Sequence, residues 1–285
     1  MGYLLFIIGV FAAACGGAKE PAPEDAAKVQ TQTPVWEDDV EDAAYKFYRS
    51  VSKTLLRTGQ PQRATQTIRR LFKLKPADPE PRCLMGQAYV AMEQYDMALR
   101  LFKEALERDD KYAPAYSMMG SVLNLVGEHD QAIEAHAKAI ELEEDNAGFY
   151  NNLGFSYYLS GNTAKAIDVY LAALDIDPGL KRVHNNLGFA YGKQGDLDRA
   201  KQHFKMAGLP AEANNNMGFV HETRGELERA YEYYVIALKQ NPRLLPAREN
   251  LTRICRQLGR PMPEIEVKYR KDSGEEREQP SPSGS

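Results

Sequence analysis

Self-similarity at a fixed spacing constrains this chain more than any other feature. The string YNNLGFSYY at 150–158 returns 34 residues later as HNNLGFAYG at 184–192, and 30 residues after that as NNNMGFVHE at 214–222. Going backwards by 34, Gly154 leads to Gly120 and then to Gly86. With this glycine set as position 8, the repeats are residues 45–78, 79–112, 113–146, 147–180, 181–210 and 211–244. Position 20 is alanine in all six: Ala64, Ala98, Ala132, Ala166, Ala200 and Ala230. Position 27 is alanine in five, with Leu71 in the first repeat. Position 8 is glycine in five, with Ser52 in the first. Position 15 is glycine in five, with Glu93 the exception.

Each repeat reads as two helices. The first covers positions 1–14, and the glycine at 15 ends it by supplying a left-handed cap. The second covers positions 17–30, and Pro76, Pro178 and Pro242 at position 32 stop it. Small residues at 8, 20 and 27 let the paired helices approach closely. Large residues at 7, 11 and 24, such as Leu153, Tyr157 and Tyr170, fill what remains. One such pair cannot bury its apolar face alone, but a stack of them builds a continuous core.

This pattern resembles the tetratricopeptide repeat over roughly residues 45–258. The resemblance implies an all-α fold: a right-handed superhelical solenoid of six helix-turn-helix units across residues 39–260, closed by a capping helix at 245–258. In that last segment Leu251, Ile254 and Leu258 recur at helical spacing, and the other face is Arg, Glu and Asn. A length of 285 residues alone would suggest about two domains. The period argues instead for one elongated unit. The fifth repeat is four residues short, ending Gly208-Leu209-Pro210, which predicts altered packing between repeats 181–210 and 211–244.

The ends read differently. Residues 1–14, MGYLLFIIGVFAAA, are uncharged and nearly all apolar, but the run is shorter than the roughly 20 residues a spanning helix needs. It suits a signal peptide. Ala12-Ala13-Ala14-Cys15 resembles a bacterial lipobox, which implies acylation of Cys15, and Gly16 in place of Asp favours the outer membrane, facing the periplasm. Two or more acyl chains anchor a protein stably. Residues 15–38 are rich in Ala, Pro, Gly and acids and read as a flexible tether. Residues 261–285, rich in Pro, Ser, Gly and charge, read as a disordered tail, with a short extended piece at Ile265-Glu266-Val267 allowed by the pattern.

In the family that the chain resembles, the concave face is built by the first helix, at positions 2, 5, 9, 12 and 13. Here position 9 is Phe155, Phe189 and Phe219 in the last three repeats, and position 5 is Asn151, Asn185 and Asn215. Amides both donate and accept, so they can pair with an extended peptide. Phenylalanine offers large apolar area that the core does not require. Tyr158, Arg182, Lys193 and Glu222 complete the candidate groove. The resemblance implies a peptide or helix of a protein partner as occupant. Asn152, Asn186 and Asn216 at position 6 match the repeat itself and read as structural.

Lys and Arg total 36 against 40 Asp and Glu, a net charge of −4, so the basic footprint of a nucleic-acid binder is missing. Three cysteines do not make a disulfide scaffold, and Cys83 and Cys255 fall in distant repeats. Of the five histidines, His136, His184 and His221 fall at core positions 24, 4 and 11. No cysteine or histidine spacing fits a metal site, no glycine-rich strand–helix turn is present, and no catalytic constellation emerges. No enzyme activity and no cofactor is therefore expected.

Six-repeat lipoproteins of this size resemble the TadD-like and PilF-type pilus-assembly tetratricopeptide lipoproteins. That resemblance implies a scaffold assisting a secretin or pilus component of a Tad, type IV pilus or type II secretion system. An NlpI-like adaptor recruiting peptidoglycan hydrolases or proteases is the alternative.

Overall fold

The structure is a computed structural model that describes residues 35–265, with side chains from residue 39 onward. The segment 1–14, Cys15, the tether as far as residue 34 and the tail beyond 265 lie outside the described residues. Within them there are thirteen α-helices and no strand: α1 (Val35–Arg57), α2 (Pro61–Leu74), α3 (Glu80–Ala91), α4 (Tyr95–Arg108), α5 (Ala113–Leu125), α6 (His129–Leu142), α7 (Ala147–Leu159), α8 (Thr163–Ile176), α9 (Lys181–Gln194), α10 (Leu197–Ala207), α11 (Pro210–Thr223), α12 (Leu227–Gln240) and α13 (Leu245–Leu258). The chain divides into two compact units, one through Pro178 and one from Gly179. The first holds four repeats, and the second holds two repeats plus the cap.

Helix ends follow the repeat. Pro61, Pro81, Pro114, Pro210 and Pro246 occupy first-turn positions, where a missing N–H costs nothing. Asn146, Asn162 and Asp196 cap α7, α8 and α10 by accepting a backbone N–H from Gly148, Lys165 and Arg199. At position 15 the backbone is left-handed in every repeat. Glycine supplies it five times, and Glu93 takes it at φ 59°, the one non-glycine residue among those described with positive φ.

The hairpin seam is built by position 8. A Cβ added at Gly86, Gly120, Gly154, Gly188 or Gly218 would stand 2.4–2.7 Å from the side chain at position 24, which is Phe102, His136, Tyr170, Phe204 or Tyr234. The ring of the second helix therefore lies directly on the backbone of the first. In the first repeat Ser52 replaces the glycine and shares a 2.7 Å hydroxyl hydrogen bond with Thr67. The six alanines at position 20 are completely buried.

Repeats join through positions 3, 7 and 10 of each first helix. Met85 and Ala88 pack on the α1–α2 core, Ala115 and Val122 on the α3–α4 core, and Phe149 on Ala139 of α6. In the second unit Ala247, Leu251 and Ile254 pack on Ala230, Tyr234 and Ala237 of α12. Burial of such apolar surface stabilises by about 25 cal/mol per Å².

Two boundaries shift from the sequence reading. The first helix begins at Val35, four residues inside the expected tether, so that the acidic stretch 37–42 occupies its N-terminal turns, where the helix dipole favours negative charge. At the other end residues 261–265 are described, and Ile265 packs on the α12–α13 core instead of belonging to a free tail. The short fifth repeat is absorbed by α10, which has 11 residues, and by the extended Gly208-Leu209 link. Gly192, where other repeats carry larger residues at position 12, lets α11 come so close that an added Cβ would lie 2.7 Å from Val220.

Candidate partner-binding face

In the unit that ends at Pro178, the first helices carry a polar ladder. Asn152 donates to Ser117 at 3.1 Å, and Asn124 donates to Ser156 at 2.8 Å, each joining α5 to α7. Asn151 is buried and donates to the side-chain oxygen of Asn152 at 3.2 Å. One turn further on, Phe155 is exposed, at 36%. Tyr158 is half-buried, and burial raises its phenol above the ordinary value.

The second unit repeats the ladder. Asn216 donates to Asn185 at 2.7 Å, and Asn250 donates to Asn215 at 3.0 Å. These are position 6 to position 5 of the preceding repeat, as in Asn152 to Ser117. Asn185 and Asn215 thus join the first helices of successive repeats. The register of α9 against α11 is also unchanged by the short repeat.

Phe189 and Phe219 meet edge to face with centroids 5.9 Å apart. Phe189 also stands edge-on to the core ring of Phe204 at 4.9 Å. Its ring is half-buried. Arg182 and Lys193 are exposed at the two ends of α9.

Glu222 has a different occupation. Arg253 of α13 grips both of its carboxylate oxygens at 2.8 Å, and the Tyr234 hydroxyl donates to it at 2.6 Å. Burial pushes this carboxyl up, but the hydrogen bonds from Arg253 and Tyr234 and the guanidinium charge outweigh it and hold it below the usual range. Glu222 locks the capping helix. Nothing in the local sequence pointed to Arg253, which lies 31 residues away.

The histidines sit in the fold as packing residues. His136 is fully buried with neither ring nitrogen partnered. His184 and His203 share a 3.0 Å contact between Nδ1 atoms; burial first, then His184 and Arg199, lower the His203 imidazole. His221 is buried against Tyr233 and bonded to Glu226 at 2.7 Å. Cys83 and Cys255 are buried free thiols, and burial above all pushes Cys83 up to about 12, far from a reactive thiolate. Among the described residues no three His, Cys, Asp or Glu side chains converge as a metal site, and no helix is long and apolar enough to cross a membrane.

A stack of helical hairpins with aromatic rings set into the first-helix face defines a protein-interaction scaffold. The model of the tetratricopeptide repeat protein 21 C-terminal ARM domain matches residues 19–187, and the tetratricopeptide repeat model matches residues 181–207. The first match covers more than half of the sequence, and the chain belongs to that tetratricopeptide-repeat family. Among solved structures, PilF of Pseudomonas aeruginosa is similar with a TM-score of 0.59 at 16% identity, over 75% of this chain and 99% of that one. A thermophilic tetratricopeptide protein of Thermus thermophilus is similar with a TM-score of 0.52 at 22% identity, over 62% of this chain and 98% of that one. At these identities the likeness is one of fold. No curated protein matches the chain.

Proposed function

We propose that this chain is a lipid-anchored scaffold of a bacterial envelope, held at the outer membrane through Cys15 and facing the periplasm. Its first-helix face captures a peptide or helix of a secretin or pilus component and assists that component's assembly. The observation that carries this reading is the exposed Phe155 ring, with Phe219 at the same repeat position in the second unit. An exposed large apolar side chain beside polar neighbours is a natural anchor for a partner segment. The fold shared with PilF supports the reading as a helical-repeat scaffold. The lipid anchor rests on Ala12-Ala13-Ala14-Cys15. The reading gives the chain no catalytic role and no cofactor.

The test combines two variants in the native host. Cys15→Ala is expected to move the protein from the membrane fraction to the soluble periplasm. Phe155→Asp with Phe219→Asp is expected to leave it folded and membrane-bound while assembled secretin or surface pilus falls at least tenfold. Normal secretin and pilus assembly in the double variant would sink the assembly role, and persistent membrane association of the first would sink the anchor.

A further inference from the structure

The second unit has one edge at the turns within its hairpins and another at the links between its repeats. At the link edge Asn214, in the first turn of α11, donates to Gln240, in the last turn of α12, at 2.9 Å. Arg248, in the first turn of α13, donates to the Pro242 carbonyl at 2.9 Å. These bonds set the end of α12 beside the starts of α11 and α13, and the Gly208-Leu209 link adds the end of α10. Three large apolar residues protrude there: Met206 is 52% exposed, Leu209 64% and Leu245 64%. Leu209 and Leu245 each precede a proline in the first turn of a helix, whose fixed φ makes the backbone at that point rigid. Lys205, Lys239, Arg243 and Arg248 stand exposed on the same end turns and links. Within residues 204–213 and 237–248 the one carboxylate is Glu212, and Glu249 follows just beyond. None of those four cations is in an ion pair among the described residues; the ion pairs of this unit engage Arg199, His221, Arg224, Arg229, Arg253 and Arg260 instead. The corresponding link in the first unit, residues 139–150, is opposite in kind: it carries Glu141, Glu143, Glu144 and Asp145, no Lys or Arg, and no exposed large apolar residue.

We propose that the link edge of the second unit docks on an anionic phospholipid surface. Charge selects that occupant: four cations without carboxylate partners in the fold are free to meet phosphate-bearing headgroups, each adding to the attraction. The apolar residues select it as well. Met206, Leu209 and Leu245 stand at helix ends and on a link, and not in a groove between helices, so they can dip below the phosphates to the boundary with the acyl chains. An exposed apolar set of this kind among cations is the pattern of a surface that lies on a bilayer without crossing it. This inference is independent of the partner proposed for the first-helix face and of acylation at Cys15.

The test uses the full chain carrying Cys15→Ala, with an environment-sensitive fluorophore on a single added thiol: Leu209→Cys, Leu245→Cys or, for comparison, Glu144→Cys. Cys83 and Cys255 are buried, so labelling falls on the added thiol. With vesicles of phosphatidylcholine and phosphatidylglycerol, the labels at 209 and 245 are expected to shift to the blue and to be quenched by nitroxide-bearing lipid, and the label at 144 to do neither. The quencher reports contact at the label itself, so association through residues 1–14 alone leaves all three labels unquenched. Lys205→Glu, Lys239→Glu and Arg243→Glu combined should weaken the response at 209 and 245 at least tenfold, as should vesicles of phosphatidylcholine alone. All the altered side chains are exposed, so circular dichroism should show the variants folded. Labels at 209 and 245 left unquenched, equal quenching at all three positions, or a response unaltered by the three charge reversals would overturn the proposal. So would a label at 209 that responds to delipidated envelope proteins and not to vesicles, which marks a protein as the occupant.

Discussion

Asn216 donates its side-chain amide to the side-chain oxygen of Asn185 at 2.7 Å, joining α11 to α9. Asn250 makes the same contact with Asn215, one repeat further on. Removing Asn216 leaves Asn185 without this donor, a loss of about 1–2 kcal/mol. Asn216→Ala should therefore lower the thermal midpoint of the folded chain by a few degrees. An unchanged midpoint would show that the ladder is not structural.

Glu93 holds a left-handed conformation that glycine supplies in the other repeats. A side chain there costs roughly 1 kcal/mol or more relative to glycine. Glu93→Gly is expected to raise the urea midpoint, and Gly127→Ala, at φ 87° with open space around an added Cβ, to lower it by a similar amount. Equal midpoints for Glu93→Gly and the parent would contradict the strain at Glu93.

Gly154 sets helix propensity against packing. Alanine is favoured over glycine within a helix by about 1 kcal/mol. The new Cβ would however stand 2.6 Å from the Tyr170 ring, which is sealed in the hairpin. Overpacking of that kind costs about 1–3 kcal/mol, more than the propensity gain. Gly154→Ala should destabilise on urea titration, and a stabilised variant would show that the ring can move aside.

His136 makes stability depend on pH. Burial lowers its imidazole from 6.5 to about 4 in the folded chain. The unfolded chain binds the proton more readily, so the contribution is fully present above about pH 6.5 and is lost as pH falls toward 4. Between pH 8 and pH 5 this amounts to about 2 kcal/mol. His136→Phe, restoring the ring type found at Phe102 and Phe204, should abolish that part of the pH dependence in urea titrations. A parent and variant that lose stability in parallel would contradict it.

Much of this was legible in the sequence, because the helices, their caps and the hairpin seam are local. The pattern of glycine at 8 and alanine at 20 and 27 located every hairpin, and the exception at Glu93 marked the one strained cap. What joins one repeat to the next was harder to see. Asn185, Asn215 and Glu222 bond to Asn216, Asn250 and Arg253, which lie 31–35 residues along the chain. Phe189 looked dispensable to the core because its contact with Phe204 depends on how the second helix rolls over Gly188.

The central claim is that the first-helix face is where a partner is held. A photo-crosslinking residue placed in turn at Phe155, at Phe219 and at Asp168, an exposed second-helix position, tests it in living cells. The account predicts adducts with one envelope protein, a secretin or pilus subunit, at Phe155 and Phe219 and none at Asp168. Adducts confined to Asp168, or none at either phenylalanine with the protein folded and at the membrane, would contradict it.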